Sequence, residues 1–167
     1  MRLPSRWILR VEKYVKKILE ANVYDVAIQT PLEMAPLLSS RMGSEVLLKR
    51  EDMQPVFSFK IRGAYNKMSR LTPKARKKGV ITASAGNHAQ GVAMAATRLG
   101  IRSRIVMGEN TPSIKIDAVK AFGGEVILHG DTYDEAAVFA RKEATRTGAT
   151  YIHPFDDADV IAGQGTI

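Results

Sequence analysis

Short apolar runs rich in β-branched residues alternate with amphipathic stretches through the second half of the chain. The strand-like runs cover residues 79–83, 103–107, 125–128 and 149–152. The stretches between and after them have helical periodicity and predict helices over about 86–98, 112–121 and 132–147. Gly100, Gly123 and Gly148 follow these helices, as glycine commonly does at a helix C-terminus. A strand–helix–strand rhythm of this kind predicts crossover connections and a parallel α/β sheet.

The first half of the chain has a less regular pattern. An amphipathic helix is predicted over Leu9–Ala21, with its packing positions at Leu9, Val15, Ile18 and Leu19. We then expect an extended segment over residues 26–31 and a short helix over residues 32–43. A strand over residues 45–49 and a loop over residues 51–56 should follow.

Composition narrows the class of protein. The 167 residues, 45% of them hydrophobic, can form one domain with a sizeable core. No cysteine is present, which excludes disulfides and thiolate metal sites. No apolar run is long enough to span a bilayer, so we expect a soluble protein that does not enter a membrane. The formal net charge of +8 indicates attraction to anions, either a polyanion or a small phosphorylated ligand.

Lys60 is a cation in an apolar stretch that also contains Phe57, Phe59 and Ile61. Ser58 is a plausible N-cap for a helix that continues to about Arg70, which places Lys60 in its first turn. Desolvation and the positive helix end both favour loss of the lysine proton, as an amine nucleophile requires. The alternative is an ordinary solvated side chain, since the chain has 25 Lys and Arg.

A second stretch follows the predicted strand at residues 79–83. It reads Thr82-Ala83-Ser84-Ala85-Gly86-Asn87-His88-Ala89-Gln90-Gly91. Small residues before a helix allow a ligand to approach the main chain, and the free amides of the helix start can bind an anion. The Gly86–Gly91 spacing lacks the Lys-Ser/Thr of a nucleoside-triphosphate P-loop. His88 has no ligand partner at helical spacing, so it is interpreted as a structural histidine and no metal site is predicted.

Together the two stretches are more specific than either one. The segments 58–64 and 84–91, with Lys49–Val56, Phe122–Val126 and Val160–Thr166, resemble the pyridoxal-phosphate-dependent threonine dehydratases of fold type II. The similarity extends from about Ala21 to Ile167. The approach to the lysine, Gln54-Pro55-Val56, is similar to that of the biosynthetic enzymes.

The resemblance implies a tryptophan synthase β-like α/β fold built of two lobes. It implies an N-terminal lead and helix over residues 1–20 and the start of a large cofactor-binding lobe over residues 21–62. A small α/β lobe with the parallel sheet would follow over residues 63–151, and the chain would return to the large lobe over residues 152–167. Members of this group continue for more than a hundred further residues, so the chain is expected to be an N-terminal fragment that is inactive alone.

The resemblance also implies roles for individual residues. Lys60 would hold pyridoxal 5'-phosphate as a Schiff base and then remove the substrate α-proton. Asn87 would bind the hydroxyl of the cofactor ring. The amides of Ser84, Ala85, Gly86, Asn87 and His88 would bind the substrate carboxylate. Serine racemases carry an acid/base serine at the position of Ala85, so its absence favours elimination.

The implied reaction is deamination of L-threonine to 2-oxobutyrate and ammonia in isoleucine biosynthesis. A serine dehydratase or racemase remains an alternative, as does a non-catalytic basic module that binds anions. The expected partner is a small amino acid, threonine or serine. Nucleic acid is not expected, because no stacking-aromatic motif is present and aromatic residues are only 7%. Relatives imply a homo-oligomer, a tetramer or a dimer, in the cytoplasm or in an organelle.

Overall fold

The N-terminal region consists of one long helix and a small antiparallel hairpin that encloses a second helix. The computed structural model describes residues 5–167, with side chains from residue 11 onward. The elements here are α1 (Ser5–Leu19), β1 (Leu32–Met34), α2 (Pro36–Met42) and β2 (Leu47–Lys49). Strand β1 pairs with β2 in antiparallel register. The helix predicted from residue 32 is therefore wrong over its first residues. The helix begins only at Pro36, whose fixed φ suits the first helical turn.

Over residues 11–19, helix α1 has fewer buried positions than its periodicity predicts. Val15 is 49% exposed and Leu19 is 81% exposed, so their prediction as packing positions is wrong for this chain. Ile18 is partly buried and its side chain lies against Gly165. The side chain of Leu9 lies outside the described residues.

Helix α3 (Lys60–Ser69) follows a short 3-10 turn at Glu51–Met53 and a bend in which Phe57 has a φ of 55°. Lys60 occupies the first position of this helix, as predicted. The prediction that Ser58 caps the helix is wrong, because its Oγ is buried and has no hydrogen-bond partner among the described residues.

The remaining chain alternates strands and helices around a four-stranded parallel sheet. Its elements are α4 (Pro73–Lys78), β3 (Val80–Ala83), α5 (Asn87–Leu99), β4 (Ser103–Met107), α6 (Ser113–Ala121), β5 (Glu125–Leu128), α7 (Tyr133–Thr147), β6 (Thr150–Tyr151) and α8 (Ala158–Gln164). The strand order is β5-β4-β3-β6, and each neighbouring pair is parallel. The predicted parallel α/β sheet is confirmed, and the predicted bounds of β4 and β5 match the structure.

The two faces of the sheet contribute to two separate apolar clusters. One cluster contains Val80 and Ile105 and extends to residues of α3, α5 and α6. The other contains Ile81 and Val106 and packs against alanines of α7. Successive strand residues point to opposite faces, so neighbouring positions divide between the clusters. Burial of both faces is typical of a parallel sheet and leaves the strand ends as the accessible edge.

Candidate active site

Lys60 lies at the carboxyl edge of the sheet with its amine partly shielded from solvent. Its Nζ donates a hydrogen bond to the carbonyl oxygen of Pro154, at 3.0 Å. Pro154 follows β6, so the lysine side chain extends from the start of α3 to the end of a strand. Nζ also lies 5.2 Å from the centroid of the Phe59 ring. Burial lowers the pKa of the Lys60 amine below its ordinary value. The proton is therefore lost more readily than from a solvated lysine.

The turn from Ser84 to His88 joins β3 to α5 at the same edge. The Ser84 N–H donates to the carbonyl oxygen of Val106 at 3.1 Å, and the Gly86 N–H donates to the Ser84 Oγ at 3.2 Å. These two predicted carboxylate-binding amides are thus engaged within the protein. Over the described part of the chain, the N–H groups of Ala85, Asn87 and His88 have no backbone partner. They lie at the start of a 13-residue helix, whose dipole favours an anion.

The space in front of this turn is open. An added Cβ at Gly86 would meet no atom within 4 Å, and the Asn87 side chain is exposed. Ser84 and Ala85 also line a cavity of about 100 Å³. The cavity extends to the loops that follow β4 and β5, with Thr111 and Tyr133 among its walls. A small ligand therefore has access to the start of α5.

His88 has a structural hydrogen bond, as predicted. Its side chain is buried, and its Nε2 lies 3.1 Å from the carbonyl oxygen of Ile152. Because a carbonyl can only accept, Nε2 carries the hydrogen and Nδ1 is a bare acceptor, with no partner among the described residues. Burial, together with a smaller contribution from the Lys60 charge, lowers the pKa of His88 to about 4. Within residues 11–167, no group of three or more His, Asp or Glu side chains is arranged to hold a metal ion.

The two stretches singled out in the sequence meet in the structure. A Cβ placed on Gly91 of α5 would lie 3.1 Å from the main-chain carbonyl carbon of Lys60. His88, on the same helix, is close enough to Lys60 for the lysine charge to affect its pKa. The lysine and the turn before α5 are thus neighbours at one edge of the sheet.

Sequence reasoning missed the residues that support the lysine. Pro154 contributes only a backbone carbonyl, which every residue type possesses, so no side-chain signal identifies it. Phe155 and Asp156 form a tight turn in which both N–H groups donate to His153 Nδ1, at 3.3 and 2.8 Å. The only available signal is the His-Pro pair directly after a strand, which marks a turn.

Comparison with known proteins bears directly on this site. Residues 23–167 match the family described as "Pyridoxal-phosphate dependent enzyme". The chain belongs to the pyridoxal-phosphate-dependent enzyme family. It is 58% identical over 155 residues to threonine dehydratase 1 biosynthetic, chloroplastic, of Solanum lycopersicum, covering 93% of this chain and 26% of that protein. It is also 58% identical over 157 residues to the biosynthetic L-threonine dehydratase IlvA of Burkholderia multivorans, covering 92% and 31% respectively.

Solved structures of this family have the same fold. The processed form of threonine deaminase isoform 2 from Solanum lycopersicum superposes with a TM-score of 0.90 at 57% identity, over 94% of this chain and 46% of that one. Maize serine racemase has a TM-score of 0.86 at 34% identity, over 91% and 47%. The chain therefore spans about half the length of these solved chains, and between a quarter and a third of the curated relatives named above. The predicted fold-type II architecture is confirmed.

The residues present fit the cofactor of this family. A pyridoxal aldehyde requires an unprotonated amine, and burial lowers the pKa of the Lys60 amine toward that form at an accessible sheet edge. The side-chain oxygen of Ser58, two residues away, is buried without a partner among the described residues. Asn87, whose side-chain amide is exposed, is the first residue of the neighbouring helix α5.

No helix in the described part of the chain is long and apolar enough to cross a membrane.

Proposed function

We propose that this chain is the lysine-bearing part of a threonine dehydratase that deaminates L-threonine to 2-oxobutyrate and ammonia, the first step of isoleucine biosynthesis. The observation that carries the proposal is the Lys60 amine, held with a lowered pKa beside the start of α5. The similarity to biosynthetic threonine dehydratases covers more than nine-tenths of the chain and supports the choice of substrate.

The side-chain nitrogen of Lys60 is proposed to have two roles, in binding the cofactor and in proton transfer. Its Nζ would hold the cofactor aldehyde, whose oxygen leaves as water, until the substrate amine displaces the lysine; the freed Nζ would then take the α-proton of the amino acid. Both roles require an unprotonated amine, and burial of the side chain favours that form. When bound, pyridoxal phosphate supplies an electron-withdrawing ring that stabilises negative charge at the substrate α-carbon.

The start of α5 is proposed to orient the ligands. The N–H groups of Ala85, Asn87 and His88 bind the substrate carboxylate, since the amides of Ser84 and Gly86 already have partners. The Asn87 side chain binds the hydroxyl of the cofactor ring. Ala85 has no group that can exchange a proton, so protons are moved from one side of the α-carbon only, which favours elimination over racemisation.

The chain spans between a quarter and a third of the curated relatives named above, so the activity proposed here is that of a whole enzyme of this kind. The regions 21–62 and 152–167 form part of a larger lobe and 63–151 the smaller lobe, and the 167 residues alone are expected to deaminate threonine weakly or not at all. We propose a homo-oligomer as the working form, a small amino acid as its partner, and no role in binding nucleic acid. The cytoplasm or an organelle is the proposed compartment.

Reductive trapping tests this proposal without relying on turnover. The chain is incubated with pyridoxal 5'-phosphate, reduced with borohydride and mapped by peptide mass spectrometry. We expect one dominant pyridoxyl group at Lys60, and none at that peptide in Lys60→Ala. Equal labelling of the exposed lysines, such as Lys74 and Lys77, with no preference for Lys60 would refute the role of this amine.

A product assay separates the neighbouring activities. Threonine and serine are supplied side by side, and 2-oxobutyrate, pyruvate and the enantiomers of both amino acids are measured. A threonine dehydratase gives 2-oxobutyrate as the main product. Predominant formation of pyruvate or of the D-enantiomer would contradict the assignment of substrate or of reaction.

A further inference from the structure

Helix α5 approaches the main chain of Lys60 so closely at Gly91 that an added side chain would require one of the two helices to shift by a few tenths of an ångström. A Cβ at this position would lie 3.1 Å from the Lys60 carbonyl carbon and 3.2 Å from both the Lys60 oxygen and the Ile61 nitrogen. Carbon atoms in contact are normally 3.5–4.0 Å apart. Gly91 lies in the interior of a helix, where glycine is less favourable than alanine. The reason for a glycine here therefore lies outside its own helix, in the contact with α3.

Helix α3 is also held at main-chain distance by α8. A Cβ on Gly163 would lie 2.6 Å from the Arg62 carbonyl oxygen, and one on Gly63 would lie 2.7 Å from the Val160 oxygen. The first turn of α3 is thus in contact with two helices. A shift imposed by α5 is not absorbed by free space beside this turn.

The same face of α5 also fixes the acceptor of the lysine amine. His88 precedes Gly91 by three residues, so the two share a helix face. His88 binds the carbonyl oxygen of Ile152, which also accepts a hydrogen bond from Thr82 Oγ1 at 2.7 Å. Pro154, two residues further on, accepts the hydrogen bond from Lys60 Nζ. One face of α5 therefore contacts the main chain of Lys60 and also, through Ile152, the segment whose carbonyl binds the Lys60 amine.

We propose that Gly91 is a positioning residue for Lys60, with His88 as its support, and that the missing side chain at 91 sets where the amine lies relative to the start of α5. This inference rests on the proposed function, because the position of the amine matters only if Lys60 reacts. It also gives a role to the second glycine of the Gly86–Gly91 spacing, which is followed by Val92 and not by the Lys-Ser/Thr of a P-loop.

The first experiment compares three chains by the trapping reaction. Gly91→Ala adds one methyl group against α3, and Arg98→Gly, at an exposed position of the same helix, weakens α5 without adding an atom near Lys60. We expect Gly91→Ala to lower the trapping rate at Lys60 at least tenfold. The unfolding midpoint of each chain in urea is measured alongside, so that trapping is compared only where all three are folded; Arg98→Gly, which weakens α5 without crowding Lys60, should be trapped like the wild type.

A second experiment needs no cofactor. Trace acetylation across a pH series, followed peptide by peptide, gives the pKa and the accessibility of each lysine separately. Of the titratable groups in this region, His88 on α5 is close enough to interact with Lys60, and His153 precedes Pro154, whose carbonyl oxygen the amine binds. We expect the pKa of Lys60 to rise toward its ordinary value in Gly91→Ala, because the displaced amine becomes more solvated. Failure of wild-type trapping together with this shift would refute the proposed function and leave the positioning role intact.

Two outcomes overturn the inference. One is a folded Gly91→Ala chain whose Lys60 trapping rate and acetylation profile both match the wild type. If Gly91→Ala does not fold, His88→Leu replaces it, because this change removes the bond to Ile152 without adding an atom next to α3. The same rise in the pKa of Lys60 is expected there, and an unchanged profile in His88→Leu is the second overturning result.

Discussion

The guanidinium of Arg62 and the carboxylate of Glu51 form a bidentate ion pair that is almost completely shielded from solvent. The Arg62 Nε lies 2.7 Å from Glu51 Oε2, and the Arg62 Nη2 lies 2.8 Å from Oε1. Only 1% of Arg62 and 8% of Glu51 are exposed. Thr30 and Gln54 donate further hydrogen bonds to the carboxylate. Because Arg62 is two residues after Lys60, this pair ties the loop after β2 to the helix that carries the reactive amine.

Breaking this pair should be costly. Arg62→Met leaves the Glu51 carboxylate buried without its cation, so we expect the free energy of unfolding in urea to fall by about 3–5 kcal/mol. Arg102→Met is the matched control, since it breaks an exposed pair with Glu125 that should contribute less than about 1 kcal/mol. Equal losses in the two variants would show that the buried pair contributes no more to stability than the exposed one.

The same carboxylate should make stability depend on pH. Burial alone would raise the pKa of Glu51, but hydrogen bonds from Arg62, Thr30 and Gln54 hold it below its ordinary value of 4.5. A carboxyl with a lowered pKa stabilises the fold above the unfolded pKa, and this stability is lost as the pH falls through the folded pKa. We therefore expect the wild-type unfolding free energy to decrease below about pH 4.5. In Arg62→Met, urea curves between pH 3 and 7 should show a shallower decrease, and parallel curves would contradict this origin.

Lys60 should reduce stability at neutral pH. Burial lowers its pKa, so the folded chain binds this proton less tightly than the unfolded chain does. The resulting penalty is complete below the folded pKa and disappears as the pH rises through the unfolded value of 10.5. Lys60→Met should therefore raise the free energy of unfolding in urea at pH 7, by less than about 1 kcal/mol, and the gain should be smaller at pH 11. Lys77→Met, at an exposed position on α4, should change the free energy of unfolding at neither pH. Equal gains in both variants would contradict the burial effect.

Gly163 should not tolerate a side chain. A Cβ there would lie 2.6 Å from the Arg62 oxygen and 2.7 Å from the Gly63 Cα, and both are main-chain atoms that cannot rotate away. Gly163→Ala should therefore lower the free energy of unfolding by about 1–3 kcal/mol or more, through separation of α3 from α8. Thermal and urea unfolding measure the loss. Gly86→Ala, which places its Cβ in open space, is the control, and a similar loss in both would argue against the close packing.

Several parts of the fold and site were predictable from local pattern. The strands at Ser103–Met107 and Glu125–Leu128 match their predicted bounds, because each is a short apolar run between turn residues. Gly100 and Gly148 end their helices with φ values of 65° and 70°, a conformation that glycine adopts most easily. The position of Lys60 in the first turn of α3 was predicted correctly, although the Ser58 cap from which it was inferred is wrong.

Other features required contacts between distant parts of the chain. Leu32 was predicted in a helix, yet its segment forms a strand because residues 47–49 pair with it. Ser58 was predicted to cap α3, but its side chain is buried and makes no bond to the helix. Val15 has the spacing of a packing residue and is half exposed, since periodicity identifies an apolar face without identifying what covers it.

By itself, the sequence determined the parallel sheet, the helix that begins at Lys60 and the small-residue turn before α5. Their signals are local, because backbone preferences and apolar periodicity act over a few residues. Only the tertiary structure decided that the amine of Lys60 binds a carbonyl 94 residues away and that Gly91 lies against its main chain. Every residue has a backbone carbonyl and every glycine lacks a side chain, so the sequence does not show which of them have a role. The packing of distant segments against one another decides that.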